Sequence, residues 1–175
     1  IFNNAKRKIA YVAVEAELDL SLREYLKSFD DILCNSHFMK KHLDECSRNE
    51  VSVNVIPPFV NLKFKRELPN SLKNQIADSK FVLSVADYKS RPKRKGFDII
   101  LRAFKELSLE YEELKFILKT YAMPKDEEVR IKEEVSSKNF ILINNDFTKN
   151  QILTLIEKSH IYFSPHRSEG FGRII

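Results

Sequence analysis

The chain of 175 residues is 43% hydrophobic and 31% charged, a balance that excludes an intrinsically disordered segment and predicts a folded core. Thirty basic against 25 acidic residues leave a formal charge of +5, which favours phosphates or anionic membrane surfaces but is modest for a dedicated nucleic-acid binder. No apolar run approaches the roughly 20 residues that a membrane-spanning helix requires, and Ile1-Phe2-Asn3-Asn4-Ala5-Lys6-Arg7-Lys8 lacks the apolar core of a signal peptide.

In chain order, short runs rich in Ile, Val and Phe predict strands at 9–14, 31–35, 53–57, 80–86, 114–120, 139–143 and 161–164. Helices are expected between them at 20–28, 37–46 and 124–137, the last largely charged and therefore exposed. Two further helices carry firmer signals. Phe97, Ile100, Leu101, Phe104 and Leu107 recur at helical spacing on one face, and Thr148 followed by Gln151 forms a capping box ahead of Ile152, Leu155 and Ile156. Strands alternating with helices predict an α/β fold of Rossmann-like parallel sheets with flanking helices. Pro57-Pro58 ends a strand, and the polar, basic stretch that follows reads as a linker at 61–78 between a domain over 1–60 and a second over 79–175.

The chain has only three glycines, Gly96, Gly170 and Gly172. Ordinary turns are therefore made with Asn, Asp, Ser and Pro, and the glycines mark places where backbone could approach a ligand. Gly96 follows Lys95 at a predicted helix start, while Gly170 and Gly172 flank Phe171 in a loop after a predicted strand. In an open parallel sheet ligands bind beyond the carboxyl ends of strands. Amides bared by glycine at a helix start, with Lys95 beside them, would suit a diphosphate. The run Lys89-Ser90-Arg91-Pro92-Lys93-Arg94-Lys95 also admits a nucleic-acid patch, or a solvated face.

Three stretches together resemble the family 4 glycosyltransferases, the large retaining group with the GT-B fold. Pro165-His166-Arg167-Ser168-Glu169-Gly170-Phe171-Gly172 is similar to the donor-domain pattern of that family, Val55-Ile56-Pro57-Pro58-Phe59-Val60-Asn61 to its interdomain stretch, and Arg94-Lys95-Gly96-Phe97-Asp98 to its Lys-Gly helix start. The resemblance implies an acceptor domain ending near residue 60 and the first half of a donor-binding domain over 79–175, both incomplete. It implies a hexosyltransferase that takes a nucleotide sugar as substrate and uses no metal or other cofactor. Lys95 and Glu169 would be its catalytic residues, with Lys95 on the donor diphosphate, Glu169 on the sugar hydroxyls, and Gly96, Gly170, Phe171 and Gly172 lining the donor site. Where the family places a Gly-Arg pair after the preceding strand, this chain has Ala86-Asp87, and Arg91 or Lys89 would substitute. The family's ribose-binding glutamate would fall at position 177.

The first residue is not Met, and the last residues open a new element, so the chain is expected to be a piece of a longer protein. The acceptor is expected to be a glycan, a lipid-linked molecule or a protein. The setting is expected to be the cytoplasm, including its membrane surface, with Cys34 and Cys46 reduced. His37 and His42, five residues apart with no carboxylate or cysteine at ligand spacing, indicate no metal. Glu15 and Glu17 read as solvated loop carboxylates. The alternative readings are an inactive fragment or non-catalytic nucleotide-binding domain and, further off, a basic nucleic-acid-binding protein.

Overall fold

A computed structural model describes residues 6–13, 18–59, 63–89 and 91–167. The chain divides into two compact units, the first holding the described residues up to 59 and the second those from 63 to 167.

In the first unit β1 (Ile9–Val12), β2 (Asp31–Cys34) and β3 (Ser52–Val55) form a parallel sheet in that order, with Ile9 opposite Asp31 and Asp31 opposite Ser52. A 3-10 turn at Leu20–Leu22 runs into the short α1 (Arg23–Leu26), where one helix was expected over 20–28. The longer α2 (His37–Ser47) starts at Ser36, whose hydroxyl accepts from the Met39 N–H, and ends at Arg48 in the left-handed region. Alternation along the strands turns Ile32, Cys34 and Val53 onto Met39, Leu43 and Cys46 to make this unit's core. On the other parity, Ile9 and Tyr11 remain 53% and 55% exposed. Cys34 and Cys46 are buried without a disulfide, and burial pushes the Cys34 thiol up from its ordinary value. Val14, the expected end of the first strand, and Glu15 and Glu17 lie outside the described residues.

The second unit contains β4 (Phe81–Val85), β5 (Lys115–Thr120), β6 (Phe140–Asn144) and β7 (Ile161–Tyr162), all parallel in the order β6-β5-β4-β7. Buried on both faces, β4 reads as a nearly unbroken apolar run. One face of the sheet packs Val82, Phe116 and Leu118 against Phe97, Ile100, Leu101 and Phe104 of α4 (Phe97–Glu110) and Ile131 and Val135 of α5 (Lys125–Val135). In that layer the Phe104 ring packs tilted against Phe116, with centroids 5.3 Å apart. The opposite face packs Phe81, Leu83 and Ile117 against Leu72 and Ile76 of α3 (Asn70–Ile76) and Leu155 of α6 (Lys149–Lys158). The capping box forms as expected, with the Gln151 N–H 3.2 Å from the Thr148 hydroxyl and the Thr148 N–H 2.9 Å from the Gln151 side chain. Leu107, expected on the buried stripe of α4, is exposed, and Ser108 is buried instead.

The expected linker 61–78 is corrected over its described residues, 63–78, which include a helix. Leu68, Leu72 and Ile76 are spaced by four, all are buried, and the last two lie on α3. The Glu67 N–H donates to the Thr154 hydroxyl at 3.0 Å, and Arg66 pairs with Glu157 at 2.5 Å, so this segment is strapped onto α6 and belongs to the second unit. Three apolar residues in a polar background suffice for a helix that packs on one side only.

Candidate functional site

The chain order of the second sheet reverses at one place. From β4 it steps outward to β5 and β6, then returns so that β7 lies on the other side of β4. The carboxyl ends of β4 and β7 therefore lie side by side at a strand-order reversal, the position at which doubly wound sheets bind ligands. Both stretches singled out by the sequence leave from these ends.

After β4, the Asp87 carboxylate accepts from the Lys89 N–H at 2.8 Å, and Tyr88 sets its ring edge-on to Phe97 with centroids 5.3 Å apart. Arg91 is exposed in the left-handed region at φ 56°, and Lys89 is also exposed. A tight turn follows: the Arg91 carbonyl accepts from the Arg94 and Lys95 N–H groups, the Lys93 carbonyl from Gly96, and the Pro92 carbonyl from Phe97. Lys95, on the run that admitted a solvated face, is only 9% exposed and sits in this turn just before α4 begins.

Gly96 has φ 73°, and a Cβ there would lie 2.3 Å from the Pro165 carbonyl oxygen. Its lack of a side chain answers the close approach of the segment after β7. That segment is pinned by three backbone-directed bonds. The Phe163 N–H donates to the Leu83 carbonyl at 2.8 Å, the Ser84 hydroxyl donates to the Phe163 carbonyl at 2.6 Å, and the Arg167 N–H donates to the Arg94 carbonyl at 2.9 Å. The Arg167 guanidinium grips both oxygens of Asp98 at 2.7 and 2.6 Å and the Lys93 carbonyl at 2.5 Å. Arg167 beside it holds the Asp98 carboxyl down at about 2.

The loop carrying Arg91, Lys95 and Gly96 is thus joined to the segment that leads into Ser168. Glu169, Gly170, Phe171 and Gly172 themselves lie outside the described residues. The expectation that bare amides at the start of α4 would cradle a diphosphate is revised. The N–H groups from Arg94 to Phe97 all reach backbone carbonyls of the loop, and the Ile99 N–H reaches the Gly96 carbonyl. Attraction for an anion on this side therefore falls to side chains.

Two residues of this end were not read from the sequence. Arg167 gives no local sign, since its partner is 69 positions away. Lys119, by contrast, interrupts the apolar strand Lys115–Thr120, a signal that could have been used. It is only 3% exposed; its Nζ donates to the Thr120 and Asn145 carbonyls at 2.6 and 2.5 Å and sits 4.8 Å above the Phe147 ring, tying the loops after β5 and β6 together. Burial pushes its ammonium down to about 8 against the pull of Asp146 and Asp87. Between that value and the ordinary 10.5 the unfolded chain holds a proton that the folded chain has released, so this group's contribution to stability rises with pH across the window. Denaturant midpoints at pH 7.5 and 10 should show wild type gaining on Lys119→Met; equal pH slopes would refute this.

Among the described residues no group of three His, Cys, Asp or Glu side chains is placed to hold a metal ion, and no helix is long and apolar enough to cross a membrane.

No protein-family model and no curated protein matches the chain. Solved structures do. A UDP-forming α,α-trehalose-phosphate synthase from Burkholderia xenovorans matches with TM-score 0.71 and 14% identity, over 97% of this chain and 50% of that one. The fold is of the GT-B type. An E. coli trehalose-6-phosphate enzyme bound with UDP-2-fluoro glucose matches with TM-score 0.63 and 13% identity, over 86% of this chain and 43% of that one. An S. aureus TarM variant in complex with Fondaparinux, α-GlcNAc-glycerol and UDP matches with TM-score 0.69 and 15% identity, over 99% of this chain and 35% of that one. The chain spans about half the length of the first of these GT-B relatives. At such identities the likeness concerns the fold, and the chemistry has to be argued from the residues at the β4 and β7 ends.

Proposed function

We propose that the chain is the part of a nucleotide-sugar-dependent hexosyltransferase that holds the donor, and that the intact protein moves a sugar to a hydroxyl of a glycan, lipid-linked or protein acceptor with retention of configuration. The observation that carries this reading is the joining of the Lys95 loop to the segment entering Glu169-Gly170-Phe171-Gly172 at the strand-order reversal. The chemistry asks for cations at the leaving group, because negative charge builds on the diphosphate as the sugar departs. Lys95 supplies a compact charge in a largely water-excluded position, where it acts more strongly than at the surface. Arg91 and Lys89, exposed on the same loop, add long-range attraction, and Glu169 would orient the sugar hydroxyls. Support also comes from the fold's likeness to structures solved with UDP or a UDP-sugar. No metal or other cofactor is required by this account, and the work is placed in the cytoplasm, including its membrane surface.

Calorimetry of the chain with UDP, GDP and ADP, followed by donor-sugar release and transfer assays on the intact protein, tests the reading. Saturable binding of one nucleoside diphosphate and transfer from the matching nucleotide sugar are expected. Binding without transfer would reduce the role to nucleotide binding, and salt-sensitive retention of oligonucleotides alone would replace it with nucleic-acid binding.

A further inference from the structure

The start of α4 poses an electrostatic problem for any anion bound beside Lys95. A carboxylate in the first turn of a helix favours the helix, because it complements the dipole and satisfies amides. The same carboxylate repels a phosphate. Asp98 stands three residues beyond Lys95, in the first turn of α4, with its side chain 56% exposed. Across this carboxylate lies the fork of Arg167, one nitrogen on each oxygen at 2.7 and 2.6 Å.

Resting on the donor-site reading above, we propose that Arg167 is a positioning residue that neutralises Asp98, so that α4 keeps its first-turn carboxylate while the Lys95 loop can still attract a diphosphate. The arrangement separates two needs. Asp98 serves the helix, and Arg167, reaching in from the other side of the sheet-order reversal, cancels the field that Asp98 would cast on the ligand. The additional bond from Arg167 to the Lys93 carbonyl fixes the guanidinium in that place instead of leaving it to swing toward the ligand. A unit charge a few residues from a bound anion, near a surface and at low ionic strength, changes affinity by about fivefold.

The test is a rescue, titrating UDP and, separately, inorganic pyrophosphate at low salt into wild type, Arg167→Met, Asp98→Asn and the double variant. Arg167→Met should bind both probes about fivefold more weakly, Asp98→Asn at least as tightly as wild type, and the double variant to within about twofold of wild type, because neither charge remains. A double variant as weak as Arg167→Met would overturn the inference, since lost packing or lost tethering is not repaired by removing a carboxylate. Wild-type affinity in Arg167→Met would overturn it too. Pyrophosphate binding without UDP binding would sink the nucleotide reading while the pyrophosphate series still decides the role of Arg167; binding of neither probe would end both.

Discussion

Gly96→Ala is expected to destabilise the second unit by about 3 kcal/mol. Two costs combine. At φ 73° any L side chain is strained, by about 1 kcal/mol for a single residue. The new Cβ would also meet the Pro165 carbonyl oxygen at 2.3 Å, its carbon at 3.0 Å and the Pro165 Cγ at 3.1 Å. Relief requires one backbone segment to retreat, yet Phe163 is bonded to Leu83 and Ser84, and Arg167 to Arg94, so retreat breaks hydrogen bonds on both sides of Pro165. For a unit of this size each kcal/mol lowers Tm by roughly 4–8 °C. A melt of the variant should therefore begin well below wild type, and an unchanged Tm would show that the close approach is not a constraint.

Substitution of Lys95 is expected to have the largest effect on activity. In the intact protein, Lys95→Met should lower transfer about a hundredfold to a thousandfold, the range seen when one preorganised group facing developing negative charge is removed. Because Lys95 is largely buried, Lys95→Ala would confound lost charge with a lost stem. Methionine keeps an unbranched apolar chain, so it is the variant that separates folding from catalysis. A Lys95→Met protein with wild-type melting and wild-type transfer would remove Lys95 from the mechanism.

The strands were legible because parallel strands buried on both faces leave continuous apolar runs, as in Phe81-Val82-Leu83, which no surface element imitates. The order of helices followed from the same punctuation, and Thr148-Gln151 declared its helix start through local hydrogen bonds alone. Helix α3 escaped because its signal is three residues, Leu68, Leu72 and Ile76, set among charges and behind a proline. At the candidate site, Lys95 and Gly96 could be singled out from their local pattern, but their setting could not. The burial of Lys95 depends on a turn closed by the Arg91, Pro92 and Lys93 carbonyls, and the need for glycine at 96 depends on Pro165. Arg167 and Asp98 were invisible as a pair, since a bidentate contact over 69 positions leaves no mark on either neighbourhood.

The pairing of β7 with β4 also fixes when the candidate site can exist. The Ser84 hydroxyl reaches the Phe163 carbonyl across 79 positions, and β4 meets β7 only after β5 and β6 and the helices between them have been traversed. Closing so long a loop is entropically costly until intervening structure has shortened it, so contacts of this kind come late in folding. On a ribosome the Lys95 loop would emerge and acquire its sheet neighbour β5 well before Pro165 and Arg167 could reach it. The joined surface at Gly96 therefore forms only once β7 has paired, and a nascent or truncated chain ending before Phe163 would carry Lys95 without the segment of Pro165 and Arg167 that packs against its loop.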